Sequence, residues 1–314
     1  MPVLAAIEAG GTTWVAALVS SDDLGSPYDR LEVPTTDPAS TITSIRDWLR
    51  EKVNSNSGLA GVGIASFGPI DGKVDSATYG FITTTPKPGW MNTDVVGLLG
   101  LRDEFQNIPF KFDTDVNAPA LAEFELHNLP GATSSAYVTV GTGIGIGFVI
   151  NGKTVHGLVH PEGGHIQVAI MEGDTFEGTC PFHKSCIEGM CSSGALAARA
   201  LCQPSELASL PDDHIVWDQC AYYLAQLATT MVLIASPERI VFGGGVLKRT
   251  CLYGKIRTKV KELLQNYIQN PALTTDEGLE TYICPSFWGN EAGVVGAAYL
   301  AMNAMKGGVD NNEM

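Results

Sequence analysis

AIEAGGTT, at residues 6–13, places a Gly-Gly-Thr-Thr turn directly after a short apolar run. YVTVGTGIGIG, at residues 137–147, repeats this pattern about 130 residues later. Each stretch predicts two strands around a glycine-bearing turn, and the first hairpin covers residues 3–19. The repetition favours two related domains, although such hairpins also occur in α/β proteins without internal duplication.

The rest of the chain carries signals for helices and further strands. Asp37 and Pro38 precede apolar residues at helical spacing, which predicts a helix that ends near residue 53. Short apolar runs predict strands at 59–65 and 239–242. Small and apolar residues predict helices at 118–127, from about residue 192, and at 213–236.

Composition places the chain among globular proteins and argues against several partners. It has 314 residues, which fits two domains, and 45% of them are hydrophobic. Its formal net charge of −15 disfavours binding to nucleic acid or anionic lipid headgroups, because like charges repel. Seven unevenly spaced cysteines do not resemble a secreted disulfide framework, and the amino terminus lacks the basic region of a signal peptide. We therefore expect a cytoplasmic protein that binds neither nucleic acid nor membranes.

Three glycine-rich turns follow apolar strands, at residues 8–13, 141–147 and 243–246. Glycine lets backbone N–H groups approach a phosphate closely, so these turns are candidates for nucleotide binding. None fits the dinucleotide fingerprint or the P-loop pattern, which disfavours a Rossmann dehydrogenase and a P-loop NTPase. For any one turn, tight packing of a strand against a helix is the alternative explanation.

Asp115 lies in the segment FDTDVNA, where a strand gives way to a helix. One interpretation is a helix N-cap, the usual role of an aspartate at such a position. The other is a general base that takes a proton from a substrate hydroxyl during phosphoryl transfer, with Asn117 at the start of the helix.

His165, Cys180, His183 and Cys186 form the pattern H-x14-C-x2-H-x2-C. Four nitrogen and sulfur donors match a closed tetrahedral zinc site, although the order is not one of the usual finger patterns. The alternative is a reduced loop with incidental Cys and His residues. Glu162 and Glu188 lie beside these residues, either directed into a cleft by a metal-braced loop or simply solvated.

Together these motifs resemble the ROK family of sugar kinases (repressors, open reading frames, kinases), and most closely its fructokinase branch. The resemblance implies an α/β, actin-like ATPase fold in which two ribonuclease-H-like domains flank a cleft. It also implies that ATP and Mg²⁺ bind in this cleft and that the γ-phosphoryl group passes to a hexose hydroxyl. The motifs that carry it, in chain order, are IEAGGTT, SFGPID, TPKPGW, TDVNAPALAEF, TVGTGIGIG, HPEGGH, CPFHKSCIEG, VFGGGV and GNEAGVVGAA.

The resemblance assigns roles residue by residue. Asp115 corresponds to the general base, and residues 66–69 correspond to a loop that flanks the sugar. His165 would serve both zinc and the sugar, one ring nitrogen each. The phosphate and ATP turns correspond to Gly10, Gly11, Thr12, Thr13, Gly141, Thr142, Gly143, Gly243, Gly244 and Gly245, and the sugar-binding residues to Asn117, Glu162, His165 and Glu188.

Three departures from the broader family pattern are familiar from the fructokinase branch. Glu8 stands where many members have Asp, and Thr13 where many have Lys. The metal loop reads CPFHKSC where many members have C-x-C-G-x-x-G-C. The longer Glu8 side chain leaves its ligation of Mg²⁺ open.

The expected function is therefore that of an ATP-dependent fructokinase that phosphorylates the 6-hydroxyl of D-fructose, with zinc as a further metal. Another hexose kinase, acting on mannose, glucose or N-acetylmannosamine, and a non-catalytic sugar sensor are the alternatives. The resemblance implies a homodimer. It also implies a first domain at residues 1–117, completed by a helix from about 290 to 306, and a second at 118–289 that carries the zinc loop.

Overall fold

A computed structural model describes residues 1–56, 58–127 and 130–307. The chain divides into two compact units. Unit 1 combines the first 127 residues with the segment Lys153–Pro161 and the carboxy-terminal segment that begins at Glu291. Unit 2 combines a first segment, which ends at Gly152, with the long segment Glu162–Asn290.

The strands include the two hairpins that the glycine turns predict. In chain order the strands are β1 (Val3–Ala9), β2 (Thr13–Ser20), β3 (Asp29–Pro34), β4 (Gly61–Ser66), β5 (Phe81–Ile82), β6 (Thr93–Asp94), β7 (Phe110–Thr114), β8 (Ser134–Val140), β9 (Ile144–Ile150), β10 (Lys153–Thr154), β11 (Ile240–Gly243) and β12 (Ile283–Pro285). The two predicted hairpins are β1–β2 and β8–β9.

The helices include the four that the sequence predicts. In chain order the helices are α1 (Pro38–Ser55), α2 (Val95–Leu98), α3 (Asn117–Leu126), α4 (Ile187–Cys191), α5 (Ser193–Ala200), α6 (Ile215–Ile234), α7 (Cys251–Leu264), α8 (Pro271–Thr274), α9 (Asp276–Tyr282) and α10 (Ala292–Gly307). The four predicted helices are α1, α3, α5 and α6.

Unit 1 contains a sheet with the strand order β3-β2-β1-β4-β7. β1 is antiparallel to β2 and parallel to β4, and β4 is parallel to β7. Helix α1 starts as its sequence predicts, because the Asp37 side chain accepts a hydrogen bond of 2.9 Å from the Ser40 backbone N–H. Its apolar face buries Ile42, Ile45 and Leu49 in the core of the unit.

Helix α10 lies against the sheet of unit 1 because glycines remove side chains at the contact. A Cβ atom at Gly63 on β4 would stand 1.9 Å from the Ala297 carbonyl oxygen. A Cβ atom at Gly296 on α10 would stand 2.5 Å from the Pro119 nitrogen on α3. The close backbone approach holds the last helix and α3 in the same unit as the first strands.

Unit 2 repeats part of this strand order, since β9, β8, β11 and β12 are neighbours in that sequence. β8 is antiparallel to β9 and parallel to β11, and β11 is parallel to β12. The long helix α6 is apolar on most of its surface and buries Tyr223 and Leu224 in a core that also contains Phe242. The shared order β2-β1-β4-β7 and β9-β8-β11-β12 supports the two related domains that the repeated hairpin predicted.

The boundaries of the two units differ in two places from the predicted domain boundary between residues 117 and 118. Unit 1 keeps helix α3, which packs on α10, and it includes Lys153–Pro161. Asp113 on β7 links Lys153–Pro161 to unit 1, because its carboxylate lies 3.2 Å from Thr154 Oγ1 and 3.1 Å from His156 Nε2. None of the helices in the described residues has both the length and the apolar character that a bilayer crossing needs.

Candidate active site

The Gly10–Thr13 turn joins β1 to β2 in unit 1. The Gly10 backbone N–H donates to the Thr13 carbonyl over 3.1 Å, and a Cβ atom at Gly10 would stand 2.7 Å from that oxygen. Thr35 fixes the turn from the carbonyl side, because its hydroxyl donates to Gly10 O and its N–H donates to Thr12 O. A Cβ atom at Gly11 would meet nothing within 4 Å, so the turn faces open space at this residue.

Asp115 follows β7 at the carboxyl end of two parallel strands. Its backbone N–H donates to Ser66 O on the neighbouring strand over 2.8 Å. The N-cap of α3 is Val116 and makes no side-chain cap bond, so the N-cap interpretation of Asp115 is wrong. Burial raises the pKa of Asp115 to about 6, which leaves a basic carboxylate at neutral pH.

Glu8 is a second partly buried carboxylate of unit 1. Burial first, and then the negative charges of Asp115 and Glu291, raise the pKa of Glu8 to about 7. Gly293, in the first turn of α10, makes room for this side chain, since a Cβ atom there would stand 2.2 Å from the Glu8 carboxyl carbon. Gly293, the last residue of the GNEAG motif, is therefore required by its packing against Glu8 inside unit 1.

Asn117, a predicted sugar-binding residue, is fully buried at the start of α3. Its Nδ2 donates to Asp113 over 3.0 Å and lies 3.4 Å from His156 Nε2. Its Oδ1 has no hydrogen-bond partner among the described residues. The hydrogen bond to Asp113 raises the pKa of His156.

The predicted loop beside the sugar, residues 66–69, ends in a cis peptide bond between Gly68 and Pro69. Directly after it, the Ile70 backbone N–H donates to His160 Nε2 over 3.0 Å. Burial lowers the pKa of His160, which suits a neutral ring that accepts this bond. His160 is thus a structural support for the loop that the sequence did not indicate.

The Gly141–Gly143 turn of unit 2 is one residue shorter than its counterpart. The Gly141 N–H donates to Gly143 O over 2.9 Å, and Ser193 N–H donates to Gly141 O over 2.8 Å. Glu188, on α4, accepts a bond of 3.0 Å from the Ile144 backbone N–H directly after the turn. The structure therefore places one predicted sugar residue, Glu188, beside one predicted phosphate turn.

Gly163 and Gly164, in unit 2, pack on the same hairpin. A Cβ atom at Gly164 would stand 1.8 Å from Ile144 O, and one at Gly163 would stand 2.4 Å from the Ile146 side chain. These two glycines therefore lie directly on β9. This contact places Glu162 and His165, which flank the two glycines, next to the second turn.

The four predicted metal ligands lie together in unit 2, with their donor atoms all within 4.8 Å of one another. Cys180 Sγ lies 3.8 Å from Nδ1 of both His165 and His183, and Cys186 Sγ lies 3.6 Å from His165 Nδ1. A sulfur and a nitrogen ligand of a tetrahedral zinc ion stand about 3.6 Å apart, given the usual bond lengths. The donor set therefore fits a closed zinc site.

A cavity of about 610 Å³ lies beside the second turn, entirely within unit 2. This volume suits a nucleoside. Gly245 lines the cavity, whereas Gly243 and Gly244 allow close packing, since Cβ atoms there would stand 2.5 Å from Tyr137 Oη and from Val140 O respectively. The lining consists of Gly141, Thr142, Ser193, Pro204, Leu207, Ala208, Asp212, Trp217, Gly245, Val246, Lys248, Arg249 and Thr250.

Arg249 closes one side of this cavity and was not indicated by the sequence. Its guanidinium lies 4.5 Å from the centre of the Trp217 ring, pairs with Asp212, and donates to Ala208 O over 2.9 Å. These partners lie close together in the sequence, between residues 208 and 217, and Arg249 reaches them from more than 30 positions further along the chain. The sequence does carry a signal for the segment that contains Ala208. Pro204 and the capping box at Gln203 and Glu206 mark the start of the short 3₁₀ helix to which Ala208 belongs.

The repeated strand order, the two glycine turns and a carboxylate at a strand end define the actin-like class of ATP-binding folds. A model of the ROK family matches residues 4–304. The chain is 41% identical over 268 residues to the fructokinase of Streptococcus mutans, covering 84% of this chain and 87% of that protein. It is 35% identical over 304 residues to the fructokinase of Pediococcus pentosaceus, covering 97% and 99% of the two chains.

The chain therefore belongs to the ROK family. Among solved structures, the ROK hexokinase of Thermus thermophilus superposes with a TM-score of 0.72 at 22% identity, covering 98% of this chain and 100% of that one. This similarity confirms the predicted α/β, actin-like fold.

Proposed function

We propose that this chain is an ATP-dependent fructokinase that transfers the γ-phosphoryl group to the 6-hydroxyl of D-fructose. The observation that carries the kinase assignment is Asp115, a basic carboxylate at the end of β7 in the same unit as the Gly10–Thr13 turn. Relatives named fructokinase, 35% and 41% identical to this chain, support the choice of sugar.

In this proposal Asp115 accepts the proton of the 6-hydroxyl as the oxygen attacks the γ-phosphorus and the bond to the leaving ADP breaks. A pKa of about 6 keeps Asp115 ionised at neutral pH while leaving it basic enough to take a proton. Each glycine turn offers backbone N–H groups to phosphate oxygens, which stabilises the charge of the transferring group. The cavity at Gly245 would hold the adenosine.

Mg²⁺ requires hard oxygen ligands, and Glu8, a partly buried carboxylate of unit 1, would supply one. Glu8 would hold the ion, because a nearby divalent cation offsets the burial and the repulsion from Asp115 that raise its pKa to about 7. When bound, Mg²⁺ neutralises part of the negative charge on the phosphates.

The sugar would contact Asn117, Glu162, His165 and Glu188. Asn117 Oδ1 is an acceptor without a partner in the described part of the chain, which suits a sugar hydroxyl. Since Nδ1 of His165 faces the two cysteines, its other ring nitrogen remains for the sugar. A zinc ion at His165, Cys180, His183 and Cys186 would brace the wall that carries the two glutamates.

A panel of sugars in a coupled assay of ADP release at saturating MgATP tests the assignment. We expect kcat/KM for fructose to exceed that for glucose by roughly 10² or more, because a misplaced hydroxyl leaves buried polar groups unpaired. Mannose should be the next best substrate. Equal efficiency on fructose and glucose would point to a broader hexose kinase, and no ADP release with any sugar would point to a sensor.

A cytoplasmic location is part of the proposal. None of the seven cysteines, all of which lie in the described residues, forms a disulfide, which suits a reducing compartment. The homodimer implied by the family resemblance stays a prediction, and light scattering of the purified protein tests it.

A further inference from the structure

Lys87, in the TPKPGW segment, reaches the first phosphate turn from a separate loop of the same unit. Its Nζ donates to the Gly11 carbonyl oxygen over 2.5 Å. The turn itself carries no cationic side chain, since residues 8–13 read EAGGTT. Lys87, 76 positions from Gly11 in the sequence, therefore places a cationic side chain at a turn that has none of its own.

The position of Lys87 is built into the fold of unit 1. Trp90, three residues later, is fully buried and its Nε1 donates to Thr36 O over 2.8 Å. Its ring centre lies 5.5 Å from that of Trp14, the residue that follows the turn. The Lys87 N–H also lies 3.3 Å from the Thr85 hydroxyl that accepts its hydrogen bond. The packing of Trp90 against Trp14 thus holds both the Lys87 segment and the β2 end of the turn.

Lys87 forms no ion pair with a carboxylate of the described residues. Within residues 1–56, 58–127 and 130–307, no carboxylate oxygen lies within 4.0 Å of its Nζ, although the chain carries a net charge of −15. An ammonium has three N–H donors, and the neutral carbonyl of Gly11 takes one of them. The remaining donors and the full positive charge are left for an anion.

We propose that Lys87 binds the terminal phosphate of ATP and stabilises the phosphoryl group during transfer. The inference rests on the proposed kinase function and adds a residue to it. The space beside Gly11 is open, and the flexible four-carbon stem lets the ammonium move from the Gly11 carbonyl to a phosphate oxygen at the same turn. A competing role is a purely structural one, in which Lys87 only fixes the Gly11 carbonyl.

The test compares Lys87→Met and Lys87→Arg with the control Lys306→Met, which changes an exposed lysine at the end of α10 in the same unit. Calorimetry gives the Kd of a non-hydrolysable ATP analogue, of ADP and of fructose, and the coupled assay gives kcat. We expect Lys87→Met to lower kcat by about 10²-fold or more, as for the loss of one transition-state donor. The preference for the ATP analogue over ADP should also be lost, while the Kd of fructose stays within about twofold of wild type. Lys87→Arg should keep part of kcat and part of the preference for the ATP analogue over ADP. Lys306→Met should match wild type.

Two outcomes would overturn the inference. One is an unchanged kcat together with an unchanged ratio of the two nucleotide affinities. The other is an equal loss of affinity for ADP and the ATP analogue with a lower melting temperature, which a structural role predicts. If the wild-type protein releases no ADP with any sugar, the proposed function fails, whereas the ratio of nucleotide affinities still decides the role of Lys87.

Discussion

The two glycine hairpins have the same place in their sheets but different surroundings. β1–β2 and β8–β9 both lie next to a parallel strand, and both end in a turn closed by a backbone hydrogen bond. Around the first turn, unit 1 gathers the ionisable groups Glu8, Lys87 and Asp115. Around the second, unit 2 gathers Glu188, the metal ligands and a cavity with a mixed polar and apolar lining.

This difference indicates how one duplicated frame can divide the work of a kinase. In the proposed function, the groups around the first hairpin would accept a proton and balance phosphate charge. The groups around the second, with the cavity next to Thr142, would bind and position the substrates. If this division is correct, changes near the first turn lower kcat, and changes near the second raise KM.

The largest expected effect comes from Asp115→Asn. The amide keeps the shape of the side chain but cannot accept the proton, so kcat should fall by about 10²- to 10⁴-fold. Binding of fructose and ATP, measured by calorimetry, should remain close to wild type. Asp22→Asn, at an exposed carboxylate after β2, is the matched control. A variant Asp115→Asn with near wild-type kcat would remove the general base from the proposal.

Removal of zinc is the corresponding change near the second turn. Metal analysis of extensively dialysed protein should find one zinc ion per chain. Cys186→Ser should lose most of it and raise the KM for fructose by about tenfold or more, because a metal ligand is removed and the wall with Glu188 loosens. The KM for ATP should change less. Cys202→Ser, outside the cluster in the same unit, is the control, and zinc content that Cys186→Ser leaves unchanged would disprove the site.

The pH dependence of kcat/KM for fructose should report Asp115. Burial raises its pKa to about 6, so the active base form is lost as the pH falls through that value. At saturating MgATP, where the cation would keep Glu8 ionised, the profile should be flat from about pH 7 upward and should fall about tenfold per unit below about pH 6, with a single-proton slope. A midpoint near the ordinary aspartate value of about 4 would show that Asp115 is not the group that titrates.

Much of this frame could be predicted from the sequence because its signals are local. Asp37 and Pro38 mark the start of α1 through a cap bond that spans three residues. The glycine turns and the CPFHKSC loop are equally compact in sequence. For Asp115 the sequence left two interpretations open; the geometry of α3 excludes the N-cap, and the role of general base stays a prediction.

What the sequence left out depends on contacts between distant segments. Thr154 and His156 lie in unit 1 because of Asp113, which is 41 and 43 positions away. Lys87 contacts Gly11, 76 positions away, where Trp90 packs against Trp14. No periodicity or motif spacing encodes such meetings, because the sheet and its loops must first bring the segments together.

The smallest expected effects come from adding one methyl group to each turn. At Gly143, the new Cβ atom would stand 2.8 Å from Glu188 Oε2, so the carboxylate must move away from the Ile144 N–H. We expect Gly143→Ala to raise the KM for fructose by about tenfold, the value of one charge-assisted hydrogen bond. At Gly11, a Cβ atom meets nothing within 4 Å, so Gly11→Ala should leave the melting temperature unchanged. It should instead raise the KM for MgATP by about fivefold, because the methyl group enters the space where a phosphate approaches the backbone. Steady-state kinetics with fructose and MgATP varied in turn separates the two responses. If both variants change the same KM, the two hairpins do not divide the work as their surroundings indicate.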